Sequence, residues 1–123
     1  MLVCRAVIDF GLVDEAVDPS THVVSLRGEI DASAAPRLGS GLFALFEDGV
    51  RRVIVDLSEV TMMDSAAIGV ILNALRRFQP PRGRVALVIS TERIRRPFQV
   101  SGLTERLAIF RSREEALGCL AVA

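Results

Sequence analysis

Residues 61–72 have the sequence Thr61-Met62-Met63-Asp64-Ser65-Ala66-Ala67-Ile68-Gly69-Val70-Ile71-Leu72, which marks a change from strand to helix. The preceding run, Val53-Ile54-Val55-Asp56-Leu57, is rich in β-branched residues and is typical of a buried strand. Apolar residues after Ser65 recur at helical spacing, so Asp64 and Ser65 stand where a loop turns into a helix. The first turn of a helix has unpaired N–H groups and a positive dipole. A serine there suits phosphorylation, although Asp and Ser also serve as ordinary helix caps.

The helix predicted from this pattern, residues 65–78, has two different faces. Its apolar side chains form a stripe that we expect to be buried, made of Ile68, Ile71, Leu72, Leu75 and Phe78. A second stripe is small and polar, beginning at Ser65 and continuing through Gly69, Asn73 and Arg76. Because a glycine in mid-helix costs about 1 kcal/mol relative to alanine, Gly69 indicates a close contact, either within the fold or with a partner.

The rest of the chain alternates between strand and helix patterns. We predict further strands at residues 6–12, 22–27, 84–89 and 107–110. We predict further helices from about Ser33 to Asp48, from Thr91 to about Val100, and at residues 112–120. The first two strands can pair as an antiparallel hairpin around the turn-forming residues 17–20, and the later alternation implies parallel neighbours. The sequence therefore predicts a single α/β domain with a mixed central β-sheet of four to five strands and helices mainly on one face.

The sequence contains no arrangement of residues that is typical of a catalytic or nucleic-acid-binding site. Fifteen arginines balance fifteen acidic residues, and a neutral chain without Trp or Tyr gives no indication of nucleic-acid binding. The single histidine, His22, opens an apolar strand with no Ser or Cys partner near it in sequence, so we interpret it as a solvated strand-end residue. No phosphate-binding loop, paired-carboxylate spacing or Cys/His metal pattern occurs. We therefore expect no catalytic residue, no metal site and no cofactor.

The cysteines and the lengths of the apolar runs bear on the cellular compartment of the protein. Cys4 and Cys119 lie near opposite ends of the chain and are too few for a disulfide framework, so reduced thiols are the favoured interpretation, with one disulfide joining the termini as the alternative. No apolar run approaches the length of a membrane-spanning helix. We expect a cytoplasmic protein without membrane insertion.

Three motifs occur in an order that covers nearly the whole chain. They are Gly28-Glu29-Ile30-Asp31, then Val55-Asp56-Leu57-Ser58-Glu59-Val60 leading to Met63-Asp64-Ser65, and Phe98-Gln99-Val100-Ser101-Gly102-Leu103. Together they resemble the STAS domain and, within that family, the bacterial anti-sigma-factor antagonists. The resemblance implies one STAS domain over residues 1–123.

The same resemblance implies a protein that acts by binding. In the family, the unphosphorylated domain docks on an anti-sigma factor that is also a serine kinase of the ATP-binding, histidine-kinase-like fold, and sigma factor is released. The kinase then phosphorylates the serine after the motif's aspartate, and a serine phosphatase resets it. Ser65 holds that position here, and Asp31 and Asp64 match the family's acidic positions. With Gly69, Asn73 and Arg76 they form the partner-binding surface that we predict.

Two residues depart from the family pattern, which usually continues the serine with Ser or Thr and then Gly. Ala66 leaves Ser65 as the only hydroxyl acceptor in the motif, and Ala67 adds a methyl group where a partner or a neighbouring loop needs room. Some STAS domains are never phosphorylated and serve as subunits of transporters or stress-sensing complexes, so a non-switching scaffold is the alternative function. A small enzyme or nucleotide-hydrolysing domain is disfavoured, because the chain lacks a phosphate-binding loop.

Overall fold

Strands and helices alternate in the computed structural model, which describes residues 5–7, 13–78, 82–100 and 108–121. The elements are β1 (Arg5–Val7), β2 (Val13–Asp18), β3 (Thr21–Ile30), α1 (Ala35–Glu47), β4 (Arg52–Met63), α2 (Ser65–Leu75), a 3₁₀ turn (Arg76–Phe78), β5 (Arg84–Val88), α3 (Glu92–Val100), β6 (Ala108–Phe110) and α4 (Arg113–Ala121). One sheet contains the six described strands in sequence order. The pairs β1–β2 and β2–β3 are antiparallel, and the other three pairs are parallel. The predicted α/β class and mixed sheet are confirmed.

The N-terminal hairpin differs from the prediction, and it brings the strand count to six instead of four to five. Val17 and Asp18 belong to β2, although the sequence pattern assigned them to the turn. The turn between β2 and β3 needs only two residues, because the Asp18 carboxylate accepts hydrogen bonds from the Ser20 N–H at 2.9 Å and the Ser20 hydroxyl at 3.1 Å. The predicted strand at 6–12 overlaps β1 at its start, and residues 8–12 lie outside the described part of the chain.

Helices cover both faces of the sheet unequally, as predicted. In β4, Val53, Val55 and Leu57 point to one face, where they pack with residues of α1, α2 and α3 in the larger core cluster. Ile54 points to the opposite face and belongs to a smaller cluster that includes Ala116 of α4. The alternation of side chains along a strand explains this division of consecutive residues between two cores.

The two faces predicted for α2 are confirmed. The helix begins at Ser65, and Ile68, Ile71, Leu72 and Leu75 are all buried. Phe78 is also buried, although the last predicted turn of the helix is a 3₁₀ turn. Arg76 is exposed.

The C-terminal elements lie within one or two residues of their predicted bounds where the structure describes them. Residues 101–103 of the third motif lie outside the described residues, and so do Leu107 and Cys4. Cys119 is an exposed, free thiol. Across the described ranges, no helix combines the length and the apolar character needed to cross a membrane.

Candidate functional site

Strands β3 and β4 run together beyond the end of β5 and carry the predicted site at their carboxyl ends. Pairing of β4 with β5 ends at Asp56, opposite Val88, whereas β3 and β4 stay paired as far as Ile30 and Met63. The sequence pattern predicted a β4 that stops at Leu57, so the observed strand is longer. The register shifts twice along this extension, and Gly28 between the shifts has φ +81°, a conformation that favours glycine. Asp31 and Asp64 therefore follow adjacent strand ends.

Asp64 is a helix cap, and it also joins the two loops. One carboxylate oxygen, Oδ1, accepts a hydrogen bond from the Ala67 N–H at 2.8 Å, and the other, Oδ2, accepts one from the Ala32 N–H at 3.0 Å. Its own N–H donates to the Ile30 carbonyl at 3.3 Å. Since both oxygens are engaged, Asp64 fixes the start of α2 against the loop after β3. It is the single residue between β4 and α2, where the sequence predicted a longer loop.

Asp31 lies beside Asp64 because its neighbours Ile30 and Ala32 both bond to that residue. Its Oδ1 accepts hydrogen bonds from the Ser33 hydroxyl at 2.6 Å, the Ser33 N–H at 3.0 Å and the Ala34 N–H at 3.2 Å. These bonds, with the Ser33 hydroxyl first among them, hold the pKa of Asp31 below its usual value. The exposed Asp31 therefore presents a negative charge at the edge of the site.

The polar stripe of α2 faces solvent along its whole length. Ser65, Gly69, Asn73 and Arg76 are all exposed, and the Ser65 hydroxyl makes no hydrogen bond within the described part of the chain. A Cβ added at Gly69 would meet nothing within 4 Å. No intramolecular contact among the described residues therefore requires a glycine at this position.

The two alanines after Ser65 have different environments. Ala66 is exposed beside Ser65, whereas Ala67 is fully buried and its N–H bonds to Asp64. The methyl group of Ala67 therefore packs inside the fold, and it is Ala66 that changes the surface open to a partner.

A polar cluster on the opposite face of β4 was missed by the sequence analysis. Asp56, only 5% exposed, accepts hydrogen bonds from Arg113 Nε at 2.6 Å and from the Ser58 hydroxyl and N–H at 2.5 and 3.0 Å. Arg113 also donates to the Ser25 hydroxyl and lies 3.8 Å from Glu15. Burial acts to raise the pKa of Asp56, but the hydrogen bonds from Ser58 and Arg113 and the arginine charge outweigh it and lower the pKa. The position of Asp56 within a β-branched run indicates a buried polar group, but no local pattern in the sequence identifies Arg113 of α4 as its partner.

His22 also has a different environment from the predicted one. Its Nδ1 lies 2.7 Å from Asp14 Oδ1, and its side chain is only 16% exposed. The pairing of β2 with β3 brings these two residues together on one face of the sheet. The expectation of a solvated histidine was therefore wrong. Among the described residues, no group of three or more His, Cys, Asp or Glu side chains is arranged to hold a metal ion.

Comparison with known proteins adds a family and a set of relatives. A sequence profile of the STAS domain matches residues 13–116. An anti-sigma F factor antagonist from Lysinibacillus sphaericus is 33% identical over 107 residues, covering 80% of this chain and 92% of the relative. The Bacillus cell fate determinant SpoIIAA, solved in its phosphorylated form, has 27% identity and a TM-score of 0.70, covering 88% of this chain and 97% of that one. An anti-sigma factor antagonist from Mycobacterium paratuberculosis has the same fold, with a TM-score of 0.77 and 23% sequence identity. The match covers 98% of this chain and 95% of that one.

Proposed function

This chain belongs to the STAS domain family, and from that premise we propose that it is an anti-sigma-factor antagonist switched by phosphorylation of Ser65. The observation that carries the proposal is the exposed, unbonded Ser65 hydroxyl at the first residue of α2, directly after the capping Asp64. The name of the Lysinibacillus relative and the phosphorylated form of the Bacillus relative support it. The names of the relatives favour this role over a non-switching scaffold.

In the proposed mechanism, the unphosphorylated chain binds an anti-sigma factor through the exposed face of α2. Asp31, Gly69, Asn73 and Arg76 contact the partner around Ser65, and Asp64 holds α2 and the loop after β3 in position. Occupation of the anti-sigma factor releases a sigma factor. This role acts through binding, without catalysis by the chain itself, and implies a cytoplasmic location.

We propose that the anti-sigma factor is itself a serine kinase of the ATP-binding, histidine-kinase-like fold and that it phosphorylates Ser65. A separate serine phosphatase removes the phosphate. Phosphorylation adds about −1.5 to −2 charges at neutral pH, close to the carboxylates of Asp31 and Asp64. The positive N-terminus of α2 offsets part of the repulsion, so the domain stays folded. A docked partner would have to bury the new charge beside the carboxylates, which costs several kcal/mol. Phosphorylation therefore acts on binding and leaves the fold intact.

The test is titration calorimetry of wild type, Ser65→Ala and Ser65→Asp against the cognate anti-sigma factor, together with mass spectrometry after incubation with the kinase and ATP. We expect Ser65→Ala to bind like wild type and to resist phosphorylation. We expect Ser65→Asp to bind about a hundredfold more weakly, because a buried, unpaired charge costs a few kcal/mol. Ser40→Asp is the matched control, since Ser40 is an exposed serine on α1, and it should bind normally. Equal affinities of wild type and Ser65→Asp, with no phosphate on Ser65, would refute the switch.

A further inference from the structure

The pairing of β3 with β4 first shifts directly after Asp56. Ser25 is the register partner of Asp56, whereas the next aligned pair is Arg27 with Glu59. Between these pairs, one residue of β3 lies opposite two residues of β4, as in a β-bulge. We call residues 57–58 of β4 the first bulge.

The side chain of Asp56 stabilises the first bulge. A bulge leaves its extra residue out of the ladder of strand hydrogen bonds, so the N–H group of that residue needs another partner. Asp56 Oδ1 accepts hydrogen bonds from the Ser58 N–H at 3.0 Å and from the Ser58 hydroxyl at 2.5 Å. The carboxylate therefore holds β4 in its bulged conformation.

Arg113 of α4 connects the two strands at the same place. Its Nε donates to Asp56 Oδ2 at 2.6 Å, and its Nη2 donates to the Ser25 hydroxyl. Because Ser25 and Asp56 are register partners, a single guanidinium group bonds to both members of the last pair before the first bulge. The helix on one face of the sheet thus fixes β3 against β4 where their register changes.

Stability alone does not account for this cluster. Asp56 is only 5% exposed and lies in an otherwise apolar run of β4. The cost of removing two charges from water offsets much of their attraction, so a buried ion pair is often no more stabilising than an apolar pair of similar size. The best-supported use of buried polar groups is to specify one register over another. In a strand this matters, because a slip of one residue turns every following side chain to the other face.

We propose that Asp56 and Arg113 are positioning residues for the Ser65 switch, which they affect through Asp64 from the opposite face of the sheet; this inference rests on the proposed function. Asp64 follows β4 directly, and its Oδ2 accepts the Ala32 N–H only in the shifted register. Without the first bulge, Asp64 would move by about 3.3 Å, the rise of one strand residue, and would lose this bond. The start of α2, which carries Ser65, would then no longer be fixed against the loop after β3.

The first test is amide hydrogen exchange, followed by NMR, on the full-length wild type, Asp56→Ala and Ile54→Val. The reporters are the N–H groups of Ala32 and Ala67, which both bond to Asp64. Their exchange should be about tenfold or more faster in Asp56→Ala, the change that corresponds to loss of a hydrogen bond. Ile54→Val is the matched control, because Ile54 is fully buried on the same face of β4 and its truncation lowers stability without altering the first bulge. It should change the exchange at both reporters by less than about twofold.

Arg113→Gln provides a second variant should Asp56→Ala fail to fold. The Arg113 side chain is 39% exposed, and its replacement leaves the bonds between Asp56 and Ser58 in place. Exchange at the two reporters should again be faster than in wild type, by less than in Asp56→Ala. Unchanged exchange in both variants, or an equal acceleration in Ile54→Val, would overturn the proposal.

The second test is titration calorimetry of the same variants against the anti-sigma factor. The Kd should rise about tenfold in Asp56→Ala, at a temperature where urea denaturation shows the variant to be folded, and should stay unchanged in Ile54→Val. Wild-type affinity in Asp56→Ala would overturn the link between Asp56 and the switch. If the wild type itself does not bind, the proposed function is refuted, and the exchange rates still decide whether Asp56 positions Asp64.

Discussion

Gly69→Ala is expected to change stability and binding in opposite directions. A Cβ at this position has nothing within 4 Å, so the substitution costs no repacking in the free protein. Replacement of a glycine inside a helix by alanine removes backbone entropy from the unfolded chain and stabilises by about 0.5–1 kcal/mol. Urea denaturation of Gly69→Ala should therefore give a free energy of unfolding higher than that of wild type by this amount.

Binding to the anti-sigma factor should weaken in the same variant. If the partner approaches the backbone of α2 at Gly69, an added methyl group overpacks the interface at a cost of about 1–3 kcal/mol. The Kd should then rise about tenfold or more, which titration calorimetry resolves easily. Stability and affinity are measured on one protein, so a fold defect cannot be mistaken for a binding defect.

Two other glycines in helices provide matched controls. A Cβ at Gly41 of α1 also meets nothing within 4 Å, so Gly41→Ala should gain similar stability and leave the affinity unchanged. A Cβ at Gly39 would lie 3.0 Å from Val70 Cγ1, so Gly39→Ala should gain less stability or lose some. Wild-type affinity in Gly69→Ala would refute the close approach of a partner, and a destabilised Gly69→Ala would refute the open space at this position.

Two further predictions concern the core and the polar cluster. Ile71→Ala should lower the free energy of unfolding by about 2–5 kcal/mol in urea, because Ile71 is fully buried, and a cost near zero would contradict the assigned faces of α2. Asp56→Asn should destabilise the protein by about 1–3 kcal/mol at pH 7 through loss of its charge-assisted bonds. Because the pKa of Asp56 is lowered from 3.8 in the folded state, its stabilisation is complete above about pH 4 and is lost as the pH falls through the folded pKa. The difference between wild type and Asp56→Asn in urea melts should therefore shrink below pH 4, and a constant difference down to pH 2.5 would contradict this.

Local patterns in the sequence were sufficient for the helix that carries the proposed switch. The start of α2 at Ser65, its buried stripe and its exposed polar stripe all follow from capping and from 3.6-residue periodicity, which involve residues within a few positions of one another. The order of the three motifs was likewise enough to indicate the STAS family, to which the match over residues 13–116 assigns the chain.

Features that depend on distant residues were decided by the tertiary structure. The lengths of β3 and β4 beyond β5 depend on their mutual pairing, and this pairing brings Asp31 beside Asp64. The bond between Asp56 and Arg113 joins residues 57 positions apart. One cleft at the start of β4 and β5 is lined by residues from three separate segments, at position 20, at positions 46–52 and at positions 82–84. Periodicity and capping report only on near neighbours, whereas sheet register and charge clustering exist only once remote segments have been brought into contact.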